Sequence, residues 1–325
     1  MREKNLAMQE VIAKALFPTA VFRLIVTRQF YSIKTVMIML RFTVLILGLL
    51  LIVGLSLSPA DALCQDEHYP QRIVSLGPIN TENVFLLGAG DRLVANTSYC
   101  VHPAAARDKV KIGSVMQLNI EQILGLHPDL ILATGLTTPQ QVAQLAASGV
   151  RVVHFRQPAN FAAICDQFLE LGRLLGLEVR AQEIIAQAQQ DVQSVQQRVR
   201  GLPPKKVFMQ VGAHPLFASV ASSFTNDFIV LAGGINIAAG QRDGRYNREK
   251  VTAQNPDVII IAVMGSEGGI GAREKDEWLR FTPISAVHNK QVFVVDPDLI
   301  CSPSPRTFVK GLEQIATFIY PLEEQ

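Results

Sequence analysis

The sequence predicts an α/β fold of two lobes, each with a central parallel sheet, joined by a long rigid α-helix. The first observation is an internal repeat, because residues 119–135 recur as residues 247–265 and align without a gap from the asparagine to the apolar run. The second is that strands alternate with helices around each copy, which is typical of parallel sheets with right-handed crossovers. The third is a proline-free stretch, residues 161–200, between the two copies.

Each copy of the repeat predicts a short helix, a stop and a buried strand. Asn119 and Asn247 are suited to cap the helix, because the asparagine oxygen accepts an N–H of the first turn. The Pro-Asp pair that follows cannot continue a helix, so the chain turns there. The apolar runs over 130–133 and 258–262 are what a strand covered by helices on both faces requires.

The other elements follow from turn residues and apolar runs, taken in chain order. In the first lobe we expect strands over 72–76, 91–96 and 150–155, and helices over 80–87 and 137–147. In the second lobe we expect strands over 206–211 and 292–295, a helix that ends at Leu231, and a closing helix over 307–319. Residues 268–271, which contain three glycines, should be flexible. Residues 278–287 are expected to be only partly helical.

The connector is predicted from its helical pattern. Asn160 can cap a first helix that Gly176 ends, and residues 178–200 carry an apolar stripe that fits one helix about 34 Å long. An ordinary surface helix is the alternative, but the position between the repeats favours a rigid strut. The expected division is therefore an N-terminal lobe over 71–160, a helical connector over 161–204 and a C-terminal lobe over 205–325.

The first 62 residues predict an export leader. Residues 42–57 are almost wholly apolar, Arg41 precedes them, and an Ala-Asp-Ala sequence ends at Ala62. These features are typical of a secretory signal peptide, so we expect cleavage after Ala62 and a periplasmic location. A permanent membrane anchor is the alternative, although an apolar run of about 16 residues is short for a span of about 20. Translation is expected to start at Met37 or Met39, which lie close to the basic residue.

The charge and the cysteines exclude several classes of protein. The net charge of +2 comes from the leader, which carries seven Lys and Arg against three Asp and Glu, so the rest of the chain is near −2. Composition therefore gives no case for nucleic-acid binding. The four cysteines match no zinc-binding spacing, and outside the cytosol they could form disulfides whose pairing the sequence leaves open. Cys64 makes a lipid anchor an alternative, although the preceding Leu63 is not the small residue that a lipoprotein signal requires.

Several short motifs occur in a fixed order between residues 71 and 320. They are Arg72-Ile-Val-Ser-Leu-Gly-Pro, Thr81-Glu82, Leu87-Gly-Ala-Gly-Asp, Tyr99-Cys100 with Pro103, the two Asn-x-Glu units, Val207-Phe-Met-Gln, Gly233-Gly-Ile-Asn and Ser304-Pro-Arg. No single motif is specific, but their order and spacing resemble the periplasmic substrate-binding proteins of ABC importers for cobalamin and ferric siderophores, the type with a helical backbone. The resemblance implies two Rossmann-like lobes, a ligand held between them, and delivery to an ABC permease and its ATPase.

The resemblance also implies ligand contacts on the loops at the carboxyl ends of the strands. Tyr99 matches a cleft aromatic of cobalamin-binding relatives, whose ring stacks on a large planar ligand, and Arg306 aligns with a cleft arginine suited to carboxylate or phosphate oxygens. The further candidates on these loops are His102, His214, Phe217, Arg242, Arg245 and Tyr246. The alternatives are a packed tyrosine, solvated arginines and histidines held in place before proline. Cys100 and Cys301 also fall on these loops, where a disulfide would lock the cleft.

Two glutamates, Glu121 and Glu249, occupy equivalent places in the repeat. A carboxylate in the first turn of a helix interacts with the positive end of the helix dipole, which contributes about 0.3–1 kcal/mol. The resemblance implies a different role, in which one glutamate per lobe docks on arginines of the permease. Such contacts orient a complex more than they add affinity.

The expected function is non-catalytic capture of a ferric siderophore or a corrinoid by a monomer that needs no cofactor and no resident metal. The single tryptophan, Trp278, is expected off the cleft, which weakens the cobalamin assignment, while several arginines and a tyrosine favour an anionic ferric chelate. Haem or an oxyanion is an alternative ligand. A chelatase-like enzyme that uses His102 or His214, or a receptor of the same fold, is an alternative function. No phosphate loop, dinucleotide-binding fingerprint after the first strand or nucleophile elbow supports an enzyme.

Overall fold

The first lobe contains a five-stranded parallel sheet. The computed structural model describes residues 69–264 and 269–321, so the predicted signal peptide and Cys64 lie outside the described residues. The strands are β1 (Ile73–Ser75), β2 (Leu93–Asn96), β3 (Val110–Lys111), β4 (Leu130–Thr134) and β5 (Arg151–Phe155). Their order in the sheet is β3-β2-β1-β4-β5. The helices are α1 (Pro78–Leu86), α2 (Ile120–Gly125) and α3 (Pro139–Ala146).

The connector consists of two packed helices, α4 (Phe161–Leu174) and α5 (Glu178–Val199). Asn160 caps α4 by accepting the N–H of Ala163 at 2.8 Å, and Gly176, at φ +71°, allows the turn between the helices. Both helices contribute buried side chains to both lobes, and Ile185 packs against the core of each. The connector is therefore built into the two cores. In the described part of the chain, no helix is both long and apolar enough to cross a membrane.

The second lobe contains the strands β6 (Lys206–Gly212), β7 (Phe217–Ala218), β8 (Ile235–Asn236), β9 (Val258–Ile261) and β10 (Val292–Val294). Their order in the sheet is β10-β9-β6-β7, with β8 beside the first half of β6. The pairs of β6 with β8, of β6 with β9 and of β9 with β10 are parallel, whereas β7 is antiparallel to β6 because a short turn joins the two strands. Two lobes with central, mainly parallel sheets confirm the predicted fold class.

The helices of the second lobe include two that the sequence analysis did not predict, over residues 270–279 and 297–300. They are α6 (Thr225–Leu231), α7 (Arg248–Gln254), α8 (Ile270–Leu279), α9 (Ser285–His288), α10 (Pro297–Ile300) and α11 (Pro305–Ile319). Residues 270 and 271 begin α8, so the flexibility expected for them was wrong. Gly271 serves close packing, because a Cβ at this position would lie 2.7 Å from Cγ1 of Val294. Trp278, near the end of α8, is fully buried.

The repeated Pro-Asp pair has the same structural role in both lobes. Asp129 accepts the backbone N–H groups of Gln71 and Arg72 at 2.7 and 3.0 Å, just before β1. Asp257 accepts the N–H of Lys206, the first residue of β6, at 2.8 Å. Each carboxylate thus joins the start of one strand to the start of its parallel neighbour. The repeat marks equivalent pairs of central strands, which explains why it recurs once in each lobe.

We expect Asp129→Ala and Asp257→Ala each to lower the free energy of unfolding by about 1–2 kcal/mol, because each leaves a strand-end N–H without its charged acceptor. Urea denaturation of the two variants measures this change. Asp276→Ala, which replaces an exposed aspartate of α8, is the matched control and should be near neutral. Equal stabilities of all three variants would show that the repeat does not secure the sheets.

Candidate functional site

A cavity of about 480 Å³ lies where the two lobes meet. The first lobe contributes α1 and the loop after β2, and the second lobe contributes the segment after β10 and the first turns of α11. The lining residues are Glu82, Phe85, Leu86, His102, Pro103, Asp296, Asp298, Leu299, Ser304, Arg306, Thr307 and Lys310. Two of these segments directly follow a strand, at the carboxyl edge of each sheet, where open α/β sheets usually bind ligands.

Two polar contacts join the lobes across this cavity. Nε2 of His102 lies 2.9 Å from Oδ2 of Asp298, and both side chains are about half exposed. The hydroxyls of Ser304 and Thr307 donate to Oε1 of Glu82 at 2.7 and 3.0 Å. Ser304 and Thr307 also form the capping box of α11, so Glu82 contacts the start of that helix. These contacts hold the lobes in a defined relative position.

Burial raises the pKa of Glu82 above its ordinary value, while the hydroxyls of Ser304 and Thr307 and the charge of His102 act in the opposite direction. A raised pKa means that the folded protein binds this proton more tightly than the unfolded chain does. The stability that the protonated carboxyl contributes is therefore fully present below the unfolded pKa of 4.5 and is lost as the pH rises through the folded pKa.

In Glu82→Gln, we expect the melting temperature, relative to that of the unchanged protein, to rise as the pH is raised from about 5 to about 8. Glutamine can still accept the two hydroxyl hydrogen bonds, but it carries no buried charge. Differential scanning fluorimetry across this range measures the effect. Glu183→Gln, at an exposed position of α5, should show no such trend. A relative melting temperature that falls with pH would show that the lobe contacts favour the ionised carboxylate.

Two cations line the cavity on one face of α11. Arg306 and Lys310 are four residues apart, which places their side chains next to each other on the helix surface. Both are exposed, and neither forms an ion pair with another residue in the described part of the chain. They are therefore available to a ligand with carboxylate or phosphate groups. The sequence analysis identified Arg306 but missed Lys310, which the helical spacing from Arg306 would have indicated.

Large apolar side chains stand exposed on the loops that follow four strands. Tyr99 after β2 is 60% exposed, Met116 after β3 is 71% exposed, Leu136 after β4 is 63% exposed, and Met264 after β9 is 47% exposed. Tyr99, Met116 and Leu136 follow strands of the first sheet and Met264 follows a strand of the second, so all four lie at carboxyl edges, where open α/β sheets usually bind ligands. Sequence reasoning singled out Tyr99 only. The signal for the others is an apolar residue in a loop two to five positions beyond the end of a strand.

The remaining predicted ligand residues of the second lobe do not line the cavity, and one of them, Phe217, begins β7. His214 is highly exposed, and Arg242 is exposed as well. Phe217 and Arg245 are partners in a backbone bridge. Tyr246 packs against Phe208 in the core, with ring centroids 5.5 Å apart, and burial raises its pKa. The cavity thus brings together His102 and Arg306 of the eight predicted residues.

A buried polar cluster lies beneath His214. Oε2 of Glu274, a residue that is only 3% exposed, accepts hydrogen bonds from Gln210 at 2.8 Å and from Arg248 at 2.7 Å. Nε1 of Trp278 donates to Gln210 at 2.7 Å. Oε1 of Glu274 lies 3.7 Å from Nε2 of His214. The cluster contacts the loop after β6 through His214. It also provides the buried indole N–H of Trp278 with a hydrogen-bond acceptor.

Three cysteines of the described chain are free thiols. Cys100 is fully buried with its Sγ 3.2 Å from the Thr97 hydroxyl, and Cys301 points its Sγ toward the carbonyl of Ala262. Burial raises the pKa of Cys165 and of Cys301 to about 12. Cys100 and Cys301 are both free, so this structure contains no disulfide between them. In residues 69–264 and 269–321, no three metal-ligating side chains converge on one point.

The two repeated glutamates stand at equivalent places on the surface. Glu121 is the second residue of α2 and Glu249 the second residue of α7, and both are exposed. Each helix is capped by the predicted asparagine, with Asn119 and Asn247 accepting N–H groups at 3.0 and 2.8 Å. Neither glutamate forms an ion pair within the described chain. Both carboxylates are therefore free to meet a cationic partner.

Comparison with known proteins gives a consistent match. The family model for periplasmic binding proteins matches residues 73–299. A vitamin B12-binding protein of Yersinia pseudotuberculosis is 32% identical over 218 residues, which cover 66% of this chain and 75% of the relative. An uncharacterized ABC transporter substrate-binding lipoprotein of Bacillus subtilis is 28% identical over 80% of this chain and 84% of its own length. A periplasmic heme-binding protein from Roseiflexus is 26% identical, with a TM-score of 0.68 over 77% of this chain and 98% of that chain.

Proposed function

This chain belongs to the periplasmic binding protein family, and from this membership and the site we propose that it captures a ferric siderophore or a corrinoid outside the cytoplasm and delivers it to an ABC permease. The signal peptide that ends at Ala62 would direct the export. The observation that carries the proposal is the cavity, because both lobes line it and polar contacts join the lobes across it. A chelatase-like enzyme is disfavoured, because the relatives are transport proteins.

The chemistry of the cleft favours a large ligand that is partly apolar and carries anionic groups. Tyr99, Met116 and Leu136, which are exposed on loops after strands of the first sheet, offer contact to an extended, largely apolar surface. Arg306 and Lys310 offer two positive charges on the opposite lobe. A corrinoid fits both features, and so does a ferric chelate with an organic shell. Haem shares this chemistry and is the alternative ligand.

The permease is proposed to contact the two lobes through Glu121 and Glu249. The two carboxylates are exposed, occupy equivalent positions in a repeated unit and have no partner within the described chain. Such a pair suits a partner with two-fold symmetry. The connector, whose helices share the cores of both lobes, favours a small hinge motion when the ligand enters or leaves.

Titration of the purified protein with cobalamin, ferric siderophores and haem tests the function. Isothermal calorimetry should show one ligand bound per chain, and chromatography of the released ligand should return it unchanged. Absorbance spectra of the bound chelate provide a second readout. A product that accumulates with time would support an enzyme, and failure of every ligand class to bind would contradict the proposed capture.

A further inference from the structure

The loop between β2 and β3 bears two of the candidate ligand residues but little regular structure. Residues 97–109 include a single short 3-10 turn, Ala104–Ala106. Tyr99 is 60% exposed at the tip of the loop, and His102 reaches Asp298 of the other lobe. An irregular loop loses considerable backbone entropy when it is fixed in one shape. Some interaction must therefore hold this loop in the conformation that presents Tyr99 and His102.

Lys111, at the end of β3, provides three such interactions in addition to local contacts such as that of Arg107 with the carbonyl of Val101. Its ammonium group donates to Oδ1 of Asn96 at 2.7 Å, to the carbonyl of Cys100 at 3.0 Å and to the carbonyl of Ala106 at 2.9 Å. The amide of Asn96 also donates to the carbonyl of Ala106, at 3.0 Å. The acceptors therefore lie just before the loop, between Tyr99 and His102, and at the last residue of the 3-10 turn.

All three donors of the Lys111 ammonium are used on neutral oxygens, and it forms no ion pair with a residue of the described chain. Burial lowers the pKa of Lys111 from its ordinary value, because partial desolvation disfavours the charged form of the side chain. The ammonium group of a surface lysine is normally hydrated, whereas that of Lys111 donates to three protein oxygens. The side chain thus acts as a brace, because it connects three separate points of the loop and its flanks.

We propose that Lys111 is a positioning residue, which closes the loop of residues 97–106 and so holds Tyr99 and His102 in the arrangement that receives the ligand. The proposal rests on the proposed function for the part that concerns the ligand. The effect of Lys111 on the order of the loop does not depend on that function, because it can be measured in the ligand-free protein.

Lys111→Ala removes the brace and leaves a channel the width of the lost side chain. In hydrogen-exchange mass spectrometry of the ligand-free variant, we expect peptides that cover residues 97–106 to exchange at least tenfold faster, because the amides of Cys100 and Ala106 lose their fixed turn partners. Added n-propylammonium, which matches the missing atoms, should restore protection. Tetramethylammonium has the same charge but no N–H donor and should not. Lys275→Ala, in α8, is the matched control for loss of a lysine.

The affinity for the chelate that the unchanged protein binds provides the second readout. It should fall at least tenfold in Lys111→Ala and recover with n-propylammonium, while circular dichroism and the exchange of residues outside the loop stay unchanged. Unchanged exchange of residues 97–106 would overturn the proposal. Faster exchange with full affinity would overturn the role in ligand binding. If the unchanged protein binds no chelate, the proposed function fails, and the exchange result still decides whether Lys111 orders the loop.

Discussion

Reversal of both charges in Glu121→Lys/Glu249→Lys should abolish ligand import by the assembled transporter and leave the affinity of the isolated protein for its ligand unchanged. The two glutamates stand exposed at the same position of the repeated unit, one on each lobe, and neither lines the cavity. If they meet arginines of the permease, each lysine converts an attraction into a repulsion. Like charges brought together across an interface cost several kcal/mol, which is enough to prevent productive docking.

The measurement pairs uptake of labelled ligand in reconstituted vesicles with calorimetry on the purified variant. Each single reversal should reduce uptake, and the double variant should eliminate it. Glu183→Lys, an exposed charge reversal on α5, should transport normally and is the matched control for each single reversal, because it changes the net charge by the same amount. Normal uptake by the double variant would show that the glutamates serve only the helix dipole, and loss of ligand affinity would place them in the cleft.

Loss of both cavity cations, in Arg306→Ala/Lys310→Ala, should weaken ligand binding roughly tenfold. An exposed ion pair contributes about 0.2–1 kcal/mol, and about 0.7 kcal/mol for each cation corresponds to roughly threefold in affinity for each. Both residues lie on the exposed face of α11, so the fold should be preserved. The melting temperature and the dissociation constant are measured on the same samples.

Lys275→Ala serves as the control for this double variant, because it removes a cation remote from the cavity lining. The decrease in affinity should become smaller as the salt concentration rises, since salt screens exposed charges. An unchanged dissociation constant would show that the ligand does not reach the first turns of α11, and the cavity would lose its assigned role.

Local signals in the sequence were sufficient for most of the fold. The caps at Asn119, Asn160 and Asn247 each join residues only three apart in the chain. The continuous apolar runs of β4 and β9 predicted that these strands are buried, as the structure shows. The repeat predicted two related lobes, and the structure shows that Asp129 and Asp257 join equivalent strands. The helix α8 was missed because its glycines suggested flexibility, whereas Gly271 is required by close packing on Val294.

The site was less predictable, because its geometry depends on residues that are distant in the chain. Glu82 and Ser304 are 222 positions apart, and no local pattern pairs them. The direction of a loop side chain is decided in the same way by packing. Tyr246 and Tyr99 both occur in polar loops, yet one packs against Phe208 and the other stands exposed. The sequence therefore predicted cavity residues such as His102 and Arg306, but it also predicted second-lobe residues such as His214 and Arg242 that do not line the cavity.

The most direct test of the inter-lobe cleft is hydrogen-exchange mass spectrometry of the protein with and without its bound chelate. If the ligand lies between the lobes, binding should slow exchange in residues 97–106 of the first lobe and in residues 296–310 of the second, with little change in α5. Protection confined to one lobe, or located along the connector helices, would contradict a ligand held between the two lobes.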